Sequence, residues 1–400
     1  MSPRRGAPLV VSFGDPVLDL MVDVSEAALQ SLGAAPGGCT QVSAEEMELL
    51  LAKPEIADRI HTASGGSAAN VVKCMAALDP GAHFRFVGAV GEDARAAIYR
   101  STMEKLGVEP LLLVPAEGSK ELELPSACSL CLITPDGQRT MRTCLGASKG
   151  LGTSAALPEA AFAGARAVHC EGYCLYRPGL TESILRRARA AGCSTSLDVA
   201  SFELVQAMAS SLQAIILGDL VDVLLCNEQE VQALARVFQE SGLQKDGTAA
   251  SLSHGALEDL PEAPSIRAVW REVRDHVRVL AVSLGPRGCV ALESAGGVAA
   301  RAPGLVVRVR DTVGAGDAFA GGFLHAWLRS QNLQAAAECG CQAGAAAVTQ
   351  RGATLDAQVA AALCQTVEEI LQKVAARGIG PNCAPFSAIV LPASGQNCGA

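Results

Sequence analysis

The chain has 400 residues, 50% of them apolar, with 40 glycines and only 18% charged side chains. That composition excludes a disordered polypeptide, which would be polar and charged, and no window supplies the roughly 20 consecutive apolar residues of a membrane span. The net charge of −9 and the shortness of the basic patches Arg186-Arg187-Ala188-Arg189 and Arg308-Val309-Arg310 argue against nucleic acid as a partner; an anionic small molecule stays open, because backbone N–H groups bind phosphate without net positive charge.

Taken in chain order, Pro8–Asp15 and Val17–Val24 read as β segments, Ser67–Leu78 as a helix, Phe84–Val90 as a strand and Ala94–Leu106 as a helix. Cys128–Thr134 and Arg139–Cys144 flank Pro135-Asp136-Gly137, a hairpin signal. Strands at Ala167–Glu171, Thr195–Asp198, Asp222–Cys226 and Val279–Leu284 then alternate with helices at Leu180–Ala191, Val205–Leu217, Glu228–Gln239 and Ile266–His276. A strand at Val306–Arg310 leads into a helix at Ala315–Leu328, and Ala-rich helices run from Leu333 to about Arg377.

The alternation predicts an α/β fold: a doubly wound, mostly parallel sheet flanked by helices. The early β pieces and the hairpin break that rhythm and predict a small β lid, from about residues 16–45 and 110–146. The expected organisation is a single domain over 8–377, a surface insertion at 240–264 and a flexible tail at 378–400. Fifteen cysteines scattered through a long chain do not resemble a disulfide scaffold and read as buried reduced thiols. They point to a reducing, cytoplasmic location. The chain is expected to act as a monomer or homodimer.

Two junctions carry chemistry. Asp311-Thr312-Val313-Gly314-Ala315-Gly316-Asp317 leads into a helix. Gly314, Ala315 and Gly316 are small enough for a tight turn that brings N–H groups against an anion, and the helix end adds attraction for negative charge. Asp317 beside such a pocket makes sense as the acceptor of a proton from an attacking hydroxyl. Near the start, Gly65-Gly66-Ser67-Ala68-Ala69-Asn70 is a second loop-to-helix junction, where two glycines permit close approach and Asn70 offers a donor and an acceptor. Neither a G-x-x-x-x-G-K-[ST] loop nor a G-x-G-x-x-G after a strand is present.

Together these motifs resemble the pfkB family of carbohydrate and nucleoside kinases, the ribokinase-like group, from about Pro8 to Gly352. The resemblance implies that Asp19 of Asp15-Pro-Val-Leu-Asp19 holds substrate hydroxyls, with Gly65, Gly66 and Asn70. It implies that Asp317 is the catalytic base and that Gly314, Ala315 and Gly316 form the anion hole. Ser283, Gly285 and Gly288 of Ser283-Leu-Gly285-Pro-Arg-Gly288, with Asn227 and Gly352, fall on the nucleotide site. In Asn227-Glu-Gln-Glu230 the residues also read as a helix cap and capping box. The two readings are compatible, since Glu230 can order water around Mg²⁺. Asp311 and Val313 fall where some relatives hold a monovalent cation such as K⁺; whether this chain does is left open.

The lid hairpin, Glu171-Gly172-Tyr173 and the first-strand motif look like the adenosine-kinase-like branch. Arg139 is expected either to meet the transferring phosphate or to face solvent on its hairpin. Tyr173 and Phe202 read as core residues ahead of base-stacking ones, and Asp198 as either a residue near the site or a loop carboxylate. The expected activity is ATP- and Mg²⁺-dependent phosphorylation of a primary hydroxyl. Adenosine or a related nucleoside stands ahead of a sugar such as ribose or fructose. A non-catalytic regulatory relative and a nicotinamide-dependent oxidoreductase are the rivals; the intact Asp317 and the absent dinucleotide fingerprint count against them.

Overall fold

A computed structural model describes residues 9–32, 39–57, 59–135, 139–153, 155–241, 257 and 259–377. The chain begins with β1 (Leu9–Phe13), β2 (Leu18–Asp23), α1 (Glu26–Ser31), β3 (Cys39–Gln41), α2 (Ala44–Leu51), β4 (His61–Ser64), α3 (Ser67–Leu78), β5 (His83–Ala89), α4 (Ala94–Lys105) and β6 (Val108–Leu113). It continues through β7 (Cys128–Ile133), β8 (Arg139–Cys144), β9 (Ala165–Glu171), α5 (Leu180–Ala190), β10 (Ser194–Asp198), α6 (Phe202–Ala207), α7 (Ala209–Leu217), β11 (Val223–Asn227) and α8 (Glu228–Glu240). The last elements are α9 (Ala263–Val273), β12 (Val279–Ser283), β13 (Cys289–Glu293), β14 (Val298–Ala302), α10 (Ala315–Ser330), α11 (Leu333–Val348) and α12 (Ala357–Arg377).

Among the described residues, nine strands form one sheet in the order β14-β13-β12-β11-β10-β9-β1-β5-β6. It is parallel from β6 to β12, and the last two pairings are antiparallel. Both faces are covered, so its strands are apolar almost without a break. Val11, Phe13, Leu224 and Cys226 face one core with α5, α7, α8 and α9. Val10, Val223 and Leu225 face the other with α3, α10, α11 and α12. This is the doubly wound sheet expected from the sequence.

The second sheet, β3-β8-β7-β2-β4, is the expected β lid. Its β2 alternates cleanly: Leu18, Leu20 and Val22 are buried in a small core with Leu130, Leu132 and Met47, while Asp19 faces the other way. The hairpin turn at 136–138 lies outside the described residues, but β7 and β8 pair antiparallel around it, from Ile133↔Arg139 to Cys128↔Cys144.

Several details differ from the sequence reading. Val306–Arg310 forms no strand: Arg310 N–H bonds the Val348 carbonyl at the end of α11, and Val306 is fully exposed. Pro303 and Gly304 carry the chain across the turn at 285–288 instead of alongside β14, and a Cβ at Gly304 would overlap the Pro286 carbonyl. The hairpin β13–β14 holds the sheet edge instead. The helix expected over Val205–Leu217 is two, meeting at Met208. Residues 110–113, expected in the lid, belong to β6 at the edge of the large sheet. Of the expected insertion, residues 242–256 and 258 lie outside the described residues, while Leu257 and Leu260 are buried and Ala263 opens α9. The tail 378–400 also lies outside them. No helix among the described residues is long and apolar enough to cross a membrane.

Candidate active site

The strand order turns back between β1 and β9, and in open α/β sheets such a reversal leaves a crevice at the carboxyl ends of the strands. Glu171 closes β9 there and is 1% exposed. Its Oε1 accepts from the Asp15 N–H at 2.9 Å, and its Oε2 accepts from the Ala68 N–H at 2.7 Å. Ala68 is in the first turn of α3, whose N-cap Gly66 has no side chain to offer. Glu171 therefore supplies, from β9, the acceptor which that helix end lacks. Burial and the neighbouring Asp15 push Glu171 up to about 8, against the pull of these two N–H groups and of Arg177. Arg177 in turn donates to Asp15 Oδ1 at 2.5 Å and to the Ser148 carbonyl at 3.0 Å.

The two glycines before α3 are required by contact. Gly66 has φ +94°, and a Cβ there would overlap the Asp15 carbonyl oxygen. At Gly65 a Cβ would overlap the carboxylate of Asp19. Thus Asp19 on β2, Gly65, Gly66 and Asn70 on α3 do come together.

They also meet Asp317. Ser67 Oγ donates to Asp317 Oδ1 at 2.8 Å, and Asn70 Nδ2 donates to Asp317 Oδ2 at 2.7 Å. Asn70 is 6% exposed, and its Oδ1 is left as a buried acceptor without a hydrogen-bond partner in the protein. A buried acceptor of this kind calls for a donor from a ligand or water. Gly314 takes the left-handed conformation, φ +72°, as N-cap of α10 and packs against Ala353. A Cβ at Gly316 would meet nothing within 4 Å, so the first turn of α10, from Ala315, presents its N–H groups beside open space.

Burial raises the pKa of Asp317, with Asn70, Ser67 and Lys73 pulling the other way. A helix N-terminus by itself favours an ionised carboxylate; here desolvation is the larger effect. Asp19 is pushed up to about 6 by burial, opposed by Lys73 and Arg139 and reinforced by Asp317.

Arg139 on β8 pairs with Asp311, whose carboxylate also accepts from the Val313 N–H at 3.1 Å and the Gly352 N–H at 2.6 Å. The next residue back, Arg351, pairs with Asp23 at the end of β2. Two of the lid strands, β8 and β2, are thereby tied to the body. Arg139 therefore does not face solvent, and its guanidinium already neutralises the Asp311 carboxylate.

On the nucleotide side, Asn227 and Ser283 are register partners at the ends of β11 and β12. Asn227 caps α8 and forms a reciprocal box with Glu230, so the capping reading holds. Glu230 is 3% exposed, with both oxygens bonded to Asn227, and burial pushes it up to about 7. Asp198, one strand over at the end of β10, is raised by burial and then by Glu230 and Asp317, so it senses both halves of the site. Gly285 and Gly288 have positive φ, and a Cβ on Gly288 would overlap the Ala302 carbonyl. Between them Arg287 pairs with Glu228 at 2.7 Å and with Glu262 at 2.8 Å, fixing this turn to α8 and α9. No group of three or more His, Cys, Asp or Glu side chains among the described residues could hold a metal by itself. Tyr173 and Phe202, expected in the core, are 41% and 38% exposed, following β9 and β10.

Ser67, Lys73, Glu171, Arg177 and Arg287 were given no role from sequence, although Glu171 stands in the quoted Glu171-Gly172-Tyr173. Ser67 sits inside a recognised motif, and Lys73 is the sole charge in a twelve-residue apolar helix, which is the signal that could have marked it.

Residues 39–360 match the profile described as pfkB family carbohydrate kinase. An ATP-dependent ribose-1-phosphate kinase of Halopiger xanaduensis is 29% identical over 294 residues, covering 72% of this chain and 81% of that protein. An adenosine kinase of Schizophyllum commune is 27% identical, covering 85% and 94%. The crystal structure of adenosine kinase from Sinorhizobium meliloti superposes with a TM-score of 0.71 at 25% identity, over 90% of this chain and 100% of that one. A probable sugar kinase from Rhizobium etli gives 0.70 at 25% identity, over 89% and 98%.

Proposed function

The chain belongs to the pfkB family of carbohydrate kinases and is a phosphotransferase, and from that premise we propose that it transfers the γ-phosphoryl group of ATP to a primary hydroxyl of a nucleoside, with adenosine foremost. The observation that carries this reading is Asp317, held by Ser67 and Asn70 at the start of a helix whose first turn faces open space. Asp19, the Gly66 backbone and Asn70, through its unpartnered Oδ1, orient the acceptor. Its hydroxyl oxygen attacks the γ-phosphorus in line, a new O–P bond forms, the bond to the β-phosphate oxygen breaks, and Asp317 takes the proton. The N–H groups from Gly314 to Asp317 steady the charge on the phosphoryl group in transfer. Mg²⁺, when bound, neutralises phosphate charge; Glu230, already bonded to Asn227, suits contact through water, with phosphates and water supplying the direct ligands. Asp198, Asn227, Ser283, Gly285, Gly288 and Gly352 flank the nucleotide. The lid, tied down at Asp311 and Arg351, excludes water. Twelve cysteines are buried and not in disulfides, which suits a reducing, cytoplasmic setting.

A sugar or sugar phosphate acceptor is the second reading, favoured by the ribose-1-phosphate kinase relative and by the scarcity of aromatic side chains, 4% of the chain. An ADP-release screen across adenosine, other nucleosides, ribose, fructose and ribose 1-phosphate separates the two; turnover of a sugar alone would reverse the order. Asp317→Asn should lower kcat about a thousandfold while ATP still binds by calorimetry, and normal turnover in that variant would remove Asp317 from the mechanism.

A further inference from the structure

Lys73 lies three residues beyond Asn70, in a helix whose neighbouring Val71, Val72, Cys74 and Met75 are all buried; it is itself 4% exposed. Its ammonium donates to the Ser64 carbonyl and, at 3.1 Å, to Thr354 Oγ1, with Ser64 Oγ at 3.4 Å. All three acceptors are neutral. A buried ammonium requires compensating negative charge: burial pushes Lys73 down to about 8, and Asp19 and Asp317 are the charges that oppose that fall. Ser64 ends β4 in register with Leu18, next to Asp19. Thr354 is two residues beyond Gly352, which holds Asp311. The lysine thus stands where lid, α3 and the segment before α12 converge.

We propose that Lys73 is a positioning residue for phosphoryl transfer: a buried cation that offsets the two carboxylates of the acceptor site while its own protons are spent on neutral oxygens. The proposal rests on the kinase reading and assigns a role that reading leaves empty. Two carboxylates beside a transferring phosphate repel it and each other; a cation set behind them relieves that repulsion without capturing either one. Other groups face the same pair: Arg139 from β8 lowers Asp19 and Asp317 raises it, Asn70 and Ser67 on α3 lower Asp317 by hydrogen bonding, and the charge of Asp317 in turn raises Asp198 on β10 and the Cys74 thiol on α3, which burial pushes up to about 12. Of these, Lys73 alone lowers the pKa of both Asp19 and Asp317.

Lys73→Gln keeps a donor for Ser64 and Thr354 but removes the charge, and Lys73→Met removes both. Loss of the cation raises the carboxylate pKa, so fewer molecules hold an ionised base at a given acid pH. The acid limb of the kcat/KM profile should move up by about one pH unit in both variants, with a loss of about tenfold at pH 6 and a much smaller one at pH 8.5. Lys73→Arg should return the limb towards its original position. If Lys73→Met does not fold, as judged by thermal unfolding, the Gln variant decides. An unmoved acid limb in Lys73→Gln, whatever its stability, overturns the proposal. Absence of turnover by the unaltered protein on every acceptor would instead overturn the kinase reading, and this inference with it.

Discussion

Glu171 has no part in the proposed transfer, yet it joins the two loops that the proposed reading sets against the acceptor. One oxygen holds the Asp15 N–H after β1 and the other holds the Ala68 N–H at the start of α3. A glutamine can accept at only one of these points and presents its own donor to the other. Above about pH 8, where the native carboxylate is ionised, Glu171→Gln should therefore raise KM for the acceptor and lower kcat/KM about tenfold, a loss near the cost of one buried unsatisfied N–H; steady-state kinetics across pH read it directly. At this scale the sequence was partly legible. Asp317, Asn70 and the glycines at 65–66 and 314–316 could be read because each sits in a local pattern whose chemistry is compact. Glu171 could not, because its partners lie 103 and 156 residues away. Arg139 was visible as a cation near the site, but its partner Asp311, 172 residues on, was not.

The contact between α3 and α10 decides whether the base meets its holders. A Cβ on Gly321 would come within 2.7 Å of the Cys74 Cβ, and one on Gly322 within 2.6 Å of the Cys339 carbonyl on α11. Missing side chains on α10 thus allow backbones to approach and set Asp317 against Ser67 and Asn70. Gly321→Val should part the two helices. Overpacking of this kind costs about 1–3 kcal/mol, measurable by urea unfolding, and kcat should fall more than tenfold because Asp317 moves with α10. Glycine in the sequence suggested tight loops; in α10 it serves helix packing, which needs a partner helix to be recognised. The same limit explains Val306–Arg310. Alternating valine and arginine fits a strand, but whether a segment pairs depends on which neighbour reaches the sheet edge first.

Across the molecule, burial raises carboxyl groups clustered at one end of the sheet: Asp19 to about 6, Glu230 to about 7 and Glu171 to about 8. In each case the native chain keeps a proton that the unfolded chain has released, so stability falls as pH rises through these values. Glu230→Gln should flatten the fall between about pH 4.5 and 7 by about 1–3 kcal/mol, read from urea unfolding at pH 5, 6, 7 and 8; an unchanged slope would show that Glu230 titrates alike in both states. The parallel sheet was legible in outline because alternating strands and helices admit few topologies. The register between Asn227 and Ser283, or the point where strand order turns back, emerges only once the strands are assembled. The 247 residues between Asn70 and Asp317 carry a consequence for biosynthesis. A ribosome adding about 5–20 residues per second releases the loops around Asp19 and Asn70 well before Asp317 exists, so a nascent chain spends tens of seconds with only one half of its crevice made.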